Sequence, residues 1–155
     1  MNPGTAPTDA PIDVSCTFAQ LGLCDELVQA VDEAGYTTPT PVQQAAIPEA
    51  LKGRDVLATA QTGSGKTLAY LLPILQQIED AFLRSPPPGL LRGRPTRRKT
   101  RALVLVPTRE LADQVGDAIH ELSPLLQAPL RWGCVYGGVS INPQMLGLRG
   151  GADIV

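Results

Sequence analysis

Two rhythms alternate along the chain. In some stretches apolar residues recur three and four positions apart; in others they form short unbroken runs closed by glycine or proline. In "LCDELVQAVDEAG", Leu23, Leu27, Ala30, Val31 and Ala34 share one helical face, and Gly35 is a good stop. "TPVQQAAIPEALKG" predicts a second short helix with Thr40 as cap, Pro41 at its first position and a break at Pro48. "GKTLAYLLPILQQIEDAFLR" predicts a long helix, which Pro73 should kink unless it is absorbed in the first turns. "TRELADQVGDAIHEL" places Leu111, Val115, Ile119 and Leu122 on one face, and "NPQMLGLRG" reads as a short helix. The unbroken runs "DVLATA", "RALVLV", "LRWGCVY" and "ADIV" predict four strands. Strands alternating with helices imply an α/β fold, a parallel sheet with helices on both faces.

At 155 residues the chain has the length of about one domain, and 43% apolar with 18% charged residues is a globular balance. The net charge of −2 hides a block. Residues 84–101 carry seven basic and no acidic side chains, whereas residues 1–83 carry three basic and ten acidic ones. "SPPPGLLRGRPTRRKT" reads as a loop by composition. Its basic stretch, Arg92 to Arg101, fits a solvated surface loop at least as well as an RNA patch. Residues 1–15 read as a flexible tail without the basic and apolar regions of a signal peptide. Cys16, Cys24 and Cys134 are odd in number and lack metal-ligand spacing, so reduced thiols in a cytoplasmic protein are expected. No apolar run is long enough to span a membrane.

The chemistry concentrates in "AQTGSGKT", residues 60–67, between a predicted strand and a predicted helix. It matches the phosphate-loop pattern G-x-x-x-x-G-K-S/T except at its first glycine, where Ala60 stands. Gly63 and Gly65 let consecutive N–H groups turn toward phosphate oxygens, and the following helix adds its N-terminal dipole. Lys66 supplies a cation for the outer phosphates and Thr67 a hydroxyl for Mg²⁺. Alanine at the loop's entry implies an ordinary negative φ there.

Four stretches occur in order: "GYTTPTPVQ" (35–43), "AQTGSGKT" (60–67), "PTRELA" (107–112) and "GG" (137–138). Together, from about Phe18 to Val155, they resemble the first half of the core of DEAD-box ATP-dependent RNA helicases, bacterial members most of all. In that family the loop opens with alanine, as Ala60 does here. The resemblance implies the N-terminal part of a RecA-like P-loop domain, incomplete at its C-terminus. It divides the chain into a tail (1–15), a Q-motif region (16–45) and the ATP-binding part (46–155), with a basic loop insertion at 85–100.

The resemblance also implies a site. ATP and Mg²⁺ would be held by Ala60, Gln61, Thr62, Gly63, Ser64, Gly65, Lys66 and Thr67, with Lys66 and Thr67 serving the reaction and Thr67 ligating the metal. Gln43 would read adenine, since its amide can accept from N6 and donate to N7, and Phe18 would pack on the base. Outside the motif, Gln43 would read as a helix-surface amide and Phe18 as a core residue. RNA backbone would be met by Pro107, Thr108, Arg109, Gly137 and Gly138, without sequence preference. Glu110 reads as a first-turn acid favoured by the helix dipole. Trp132 reads as core rather than as a stacking platform, and His120 is given no role.

The family's T-P-G-R, D-E-A-D and S-A-T segments and its second domain do not occur in these residues. The expected parent is therefore an ATP-dependent RNA helicase, and the chain alone is expected not to turn over, because phosphoryl transfer needs a metal-holding carboxylate and usually an arginine. Two other readings stay open: a non-catalytic nucleotide-binding fragment, and a fragment of a superfamily 2 DNA helicase. The end at Val155, inside a predicted strand, is expected to be a break in a longer protein.

Overall fold

The computed structural model describes residues 15–86 and 98–155. Residues 1–14 of the tail expected at 1–15 and most of the basic loop expected at 85–100 lie outside the described residues. The chain divides into two compact units, Met1–Gln76 and Gln77–Val155.

In the first unit a single 3-10 turn, Ala19–Leu21, precedes α1, Asp25–Glu33. Leu23, Leu27, Ala30 and Val31 are buried, as the spacing predicts. Gly35, at φ 83°, ends the helix, and the next N–H, that of Tyr36, returns to the carbonyl of Val31 at 2.8 Å. The amide oxygen of Gln76 accepts from the backbone N–H of Cys24, the residue that precedes α1, at 2.7 Å. Helix α2 spans Pro41–Leu51, with Thr40 before it and Pro41 at its start. It runs through Pro48, where a break was expected. One missing N–H near the end of a short helix is tolerated here, and Ala46 and Ile47, just before Pro48, are buried.

Helix α3, Lys66–Arg84, likewise contains Pro73 without ending. Its Leu68, Ala69, Leu71, Leu72 and Leu75 belong to the core of the first unit. The division between units falls within α3, after Gln76. In the second unit Ile78 is buried, and so is Glu79, whose carboxylate accepts from the N–H groups of Gln127 and Ala128, each at 2.9 Å. Helix α4, Arg109–Leu122, is capped by the Thr108 hydroxyl, which accepts from Leu111 N–H at 3.3 Å. Val115, Ile119 and Leu122 are buried as predicted, while Leu111 at the helix's first turn is exposed. The short helix α5 spans Ile141–Gly147.

The expected parallel sheet is not formed. Among the described residues there are only two isolated parallel pairings, Ala102 with Ile154 and Trp132 with Ile154. The α/β, RecA-like reading is therefore corrected: the regular structure is helical, and three of the four predicted strands are extended segments joined by a few bonds. Residues 153–155 exchange bonds with 101–104 on one side and 131–133 on the other, among them Val104 N–H to Val155 O at 2.9 Å and Gly133 N–H to Ile154 O at 3.1 Å. "DVLATA" does not join them. Its Leu57 is 90% exposed, and no backbone hydrogen bond ties it to another segment among the described residues. The apolar run was read as a strand, but a strand also needs a neighbour about 4.8 Å away to take its N–H and C=O groups.

Amide hydrogen exchange tests this directly. Val56 to Ala60 should exchange near the unprotected rate, and Ala102, Val104, Gly133 and Val155 measurably slower; protection across 56–60 would show that a ladder forms there. Glu79→Ala should destabilise the chain by about 2 kcal/mol, since the N–H groups of Gln127 and of buried Ala128 lose this acceptor. Glu79→Gln, which keeps one acceptor oxygen, should cost less in the same urea titration.

Candidate functional site

The loop at 60–67 is built by its glycines. Gly63 and Gly65 have φ of 80° and 88°, a region no other residue type occupies among the described residues. Ala60 accordingly keeps a non-positive φ, as expected of an alanine at the loop's entry. At Gly65 a second constraint acts. A Cβ there would come within 2.4 Å of Gln43 Nε2 and 3.0 Å of Thr40 Oγ1. The loop backbone can approach the start of α2 only because position 65 has no side chain.

Gln43 is the brace of this contact. It is 2% exposed, far from the helix-surface amide it would be outside its motif. Its Oε1 accepts from Thr40 N–H at 2.9 Å, and its Nε2 donates to Gly65 O at 3.0 Å. One amide thus caps α2 and holds the loop, so both faces expected to read adenine are engaged within the protein. Lys66 turns back on its own loop, donating to Ala60 O at 2.5 Å and Gln61 O at 2.6 Å. Ser64 Oγ is buried without a hydrogen-bond partner among the described residues. Phe18 is 4% exposed and belongs to the core of the same unit. Thr67 hydrogen-bonds Tyr70, whose phenol is pushed above its ordinary range by burial, with the Thr67 bond opposing the rise.

The second group of predicted residues lies in the other unit. Pro107 and Thr108 lead into α4, and Arg109 is its first residue. Arg109 Nη2 donates to Gly137 O at 2.5 Å, and a Cβ at Gly138, whose φ is 72°, would meet the same nitrogen at 2.7 Å. The structure therefore brings "PTRELA" and "GG" together. Three residues that the sequence reading passed over hold this arrangement. Gln144 of α5 accepts from Tyr136 N–H at 2.7 Å and donates to Tyr136 O at 3.2 Å, standing in for a neighbouring strand. The Tyr136 hydroxyl donates to the Asp113 carboxylate, which raises the phenol's pKa well beyond its usual range. Glutamine three positions into a short helix gave no signal by itself. Glu110 behaves as its position suggested: its own backbone N–H, then the Thr108 hydroxyl, lower its pKa.

The expected ATP–Mg²⁺ site is corrected on the same grounds as the sheet. A phosphate loop works as strand, loop and helix, and here the strand is missing: residues 55–60 make no ladder bond among the described residues, and Lys66 is spent on the loop's carbonyls. The RNA partner that the resemblance implied is corrected too, since among the described residues no sheet forms to carry the cleft that would meet its backbone. The assignment as an ATP-dependent helicase enzyme, resting on both, falls with them. Of the membrane question, no helix among the described residues is long and apolar enough to cross a bilayer.

Comparison with known proteins recovers a family nonetheless. The family model described as DEAD/DEAH box helicase matches residues 40–155. The chain is 43% identical over 139 residues to a probable ATP-dependent RNA helicase, ddx3, of Dictyostelium discoideum, covering 90% of this chain and 19% of that protein. It is 42% identical over 139 residues to the ATP-dependent RNA helicase DeaD of Haemophilus influenzae, covering 90% and 20%. Identities this close between a slime mould and a bacterium give no support to the expected bacterial type. A solved DEAD box protein from Methanococcus jannaschii shares 31% identity with a TM-score of 0.71, over 90% of this chain and 34% of that one. Among the described residues the ladder bonds of a sheet are not made here. It spans about a fifth of the length of these two curated relatives.

Gln43→Ala should speed amide exchange at Thr40 and lower stability by about 1–2 kcal/mol, through one lost cap and one lost tie to the loop. Gly65→Ala should be worse than Gln43→Ala, and combining the two should relieve part of its cost; strict additivity in denaturant titrations would remove the proposed contact. Tyr70 gives a pH test. A folded pKa above the unfolded value means that its stabilisation is complete below about pH 10 and is lost as pH rises through the folded pKa. Melting temperature should fall less steeply above about pH 10 in Tyr70→Phe than in the parent.

Proposed function

The chain belongs to the DEAD/DEAH box helicase family, and on that premise we propose that it is an RNA-helicase-like segment, a motif-bearing scaffold that does not turn over ATP by itself. The observation that carries this reading is the family match across residues 40–155 on a chain whose loop lysine is bound to its own loop. Ala60, Gln61, Thr62, Gly63, Ser64, Gly65, Lys66 and Thr67 form the loop that carries its first motif. Gly63 and Gly65 give the loop its positive-φ turns, and α3 adds the partial positive charge of its first turn. Gln43 braces this loop, and Phe18 fills core beneath the same unit. Pro107, Thr108, Arg109, Gly137 and Gly138 form a second polar patch, in which Arg109 is the cation.

Residence in the cytoplasm is part of the proposal, supported by three cysteines of which none is in a disulfide. The test is phosphate release from ATP by the purified chain, with and without added RNA. The expected result equals the protein-free blank in both cases. Turnover that disappears in Lys66→Ala would overturn the proposal.

A further inference from the structure

No further inference is drawn: the strongest candidate, an apolar groove of about 390 Å³ between residues 103–106, residues 132–135 and helix α4 with Trp132 in its wall, is an unpartnered face, and nothing in the structure shows what covers it.

Discussion

Residues 152–155 hold the second unit together by pairing with two other segments at once. The backbone of Asp153 donates to Arg131 O at 2.7 Å and accepts from Arg101 and Ala102 N–H groups at 2.8 and 3.0 Å. Its buried carboxylate accepts from Arg131 N–H at 2.9 Å and pairs with the Arg98 guanidinium. A carboxylate can sit in such a place only when its charge is met and its lone pairs are used; otherwise desolvation would exceed any gain. Because Asp153 meets both conditions, four residues gather two distant stretches of chain. Gly151 is part of the same requirement: with φ at 87°, its missing side chain leaves room for the Arg98 carbonyl, which a Cβ would meet at 2.2 Å.

The first unit depends on a similar economy of one polar side chain. Gln43 is buried, and its amide has an acceptor and a donor that must both be satisfied. Thr40 N–H and Gly65 O do this from opposite sides, which fixes the distance between the start of α2 and the glycine loop. Lys66 follows from the same geometry. With the loop drawn in, its ammonium reaches the carbonyls of Ala60 and Gln61. Extended chain on one side and a self-bonded lysine on the other make this a loop with the residues of a phosphate site but without its supporting architecture.

Exposed apolar side chains show where the pairing stops. Leu103 and Leu105 are 66% and 83% exposed, and Val135 is half exposed, although each lies in a segment read as strand. Burying such side chains yields roughly 25 cal/mol per Å² of area removed from water, so their exposure is stabilisation left unused. The isolated bridges to Ile154 and the exposed leucines are one fact seen twice: backbone pairing and side-chain cover are both incomplete along these segments. The path of the chain can still match that of a longer relative, because Cα positions do not depend on every ladder bond being made.

Local signals were legible throughout. The spacing of Leu27, Ala30 and Val31, the cap and proline at Thr40 and Pro41, the stop at Gly35, and the face of Val115, Ile119 and Leu122 all follow from the period of a helix and the chemistry of its ends. The glycines of "AQTGSGKT" were legible for the same reason, since positive φ is a local property. Pro48 was misjudged because tertiary burial of Ala46 and Ile47 outweighs one absent N–H. The loss of the sheet could not be read from "DVLATA", because an apolar run states that a segment is extended and apolar but not whether a partner lies beside it. Nor could the pincer of Gln144 on Tyr136, or the engagement of Gln43 on two sides. The sequence by itself determined the helices, the turns and the family. Only the tertiary structure decided which backbone groups found partners, because that depends on segments far apart in the chain arriving within hydrogen-bonding distance.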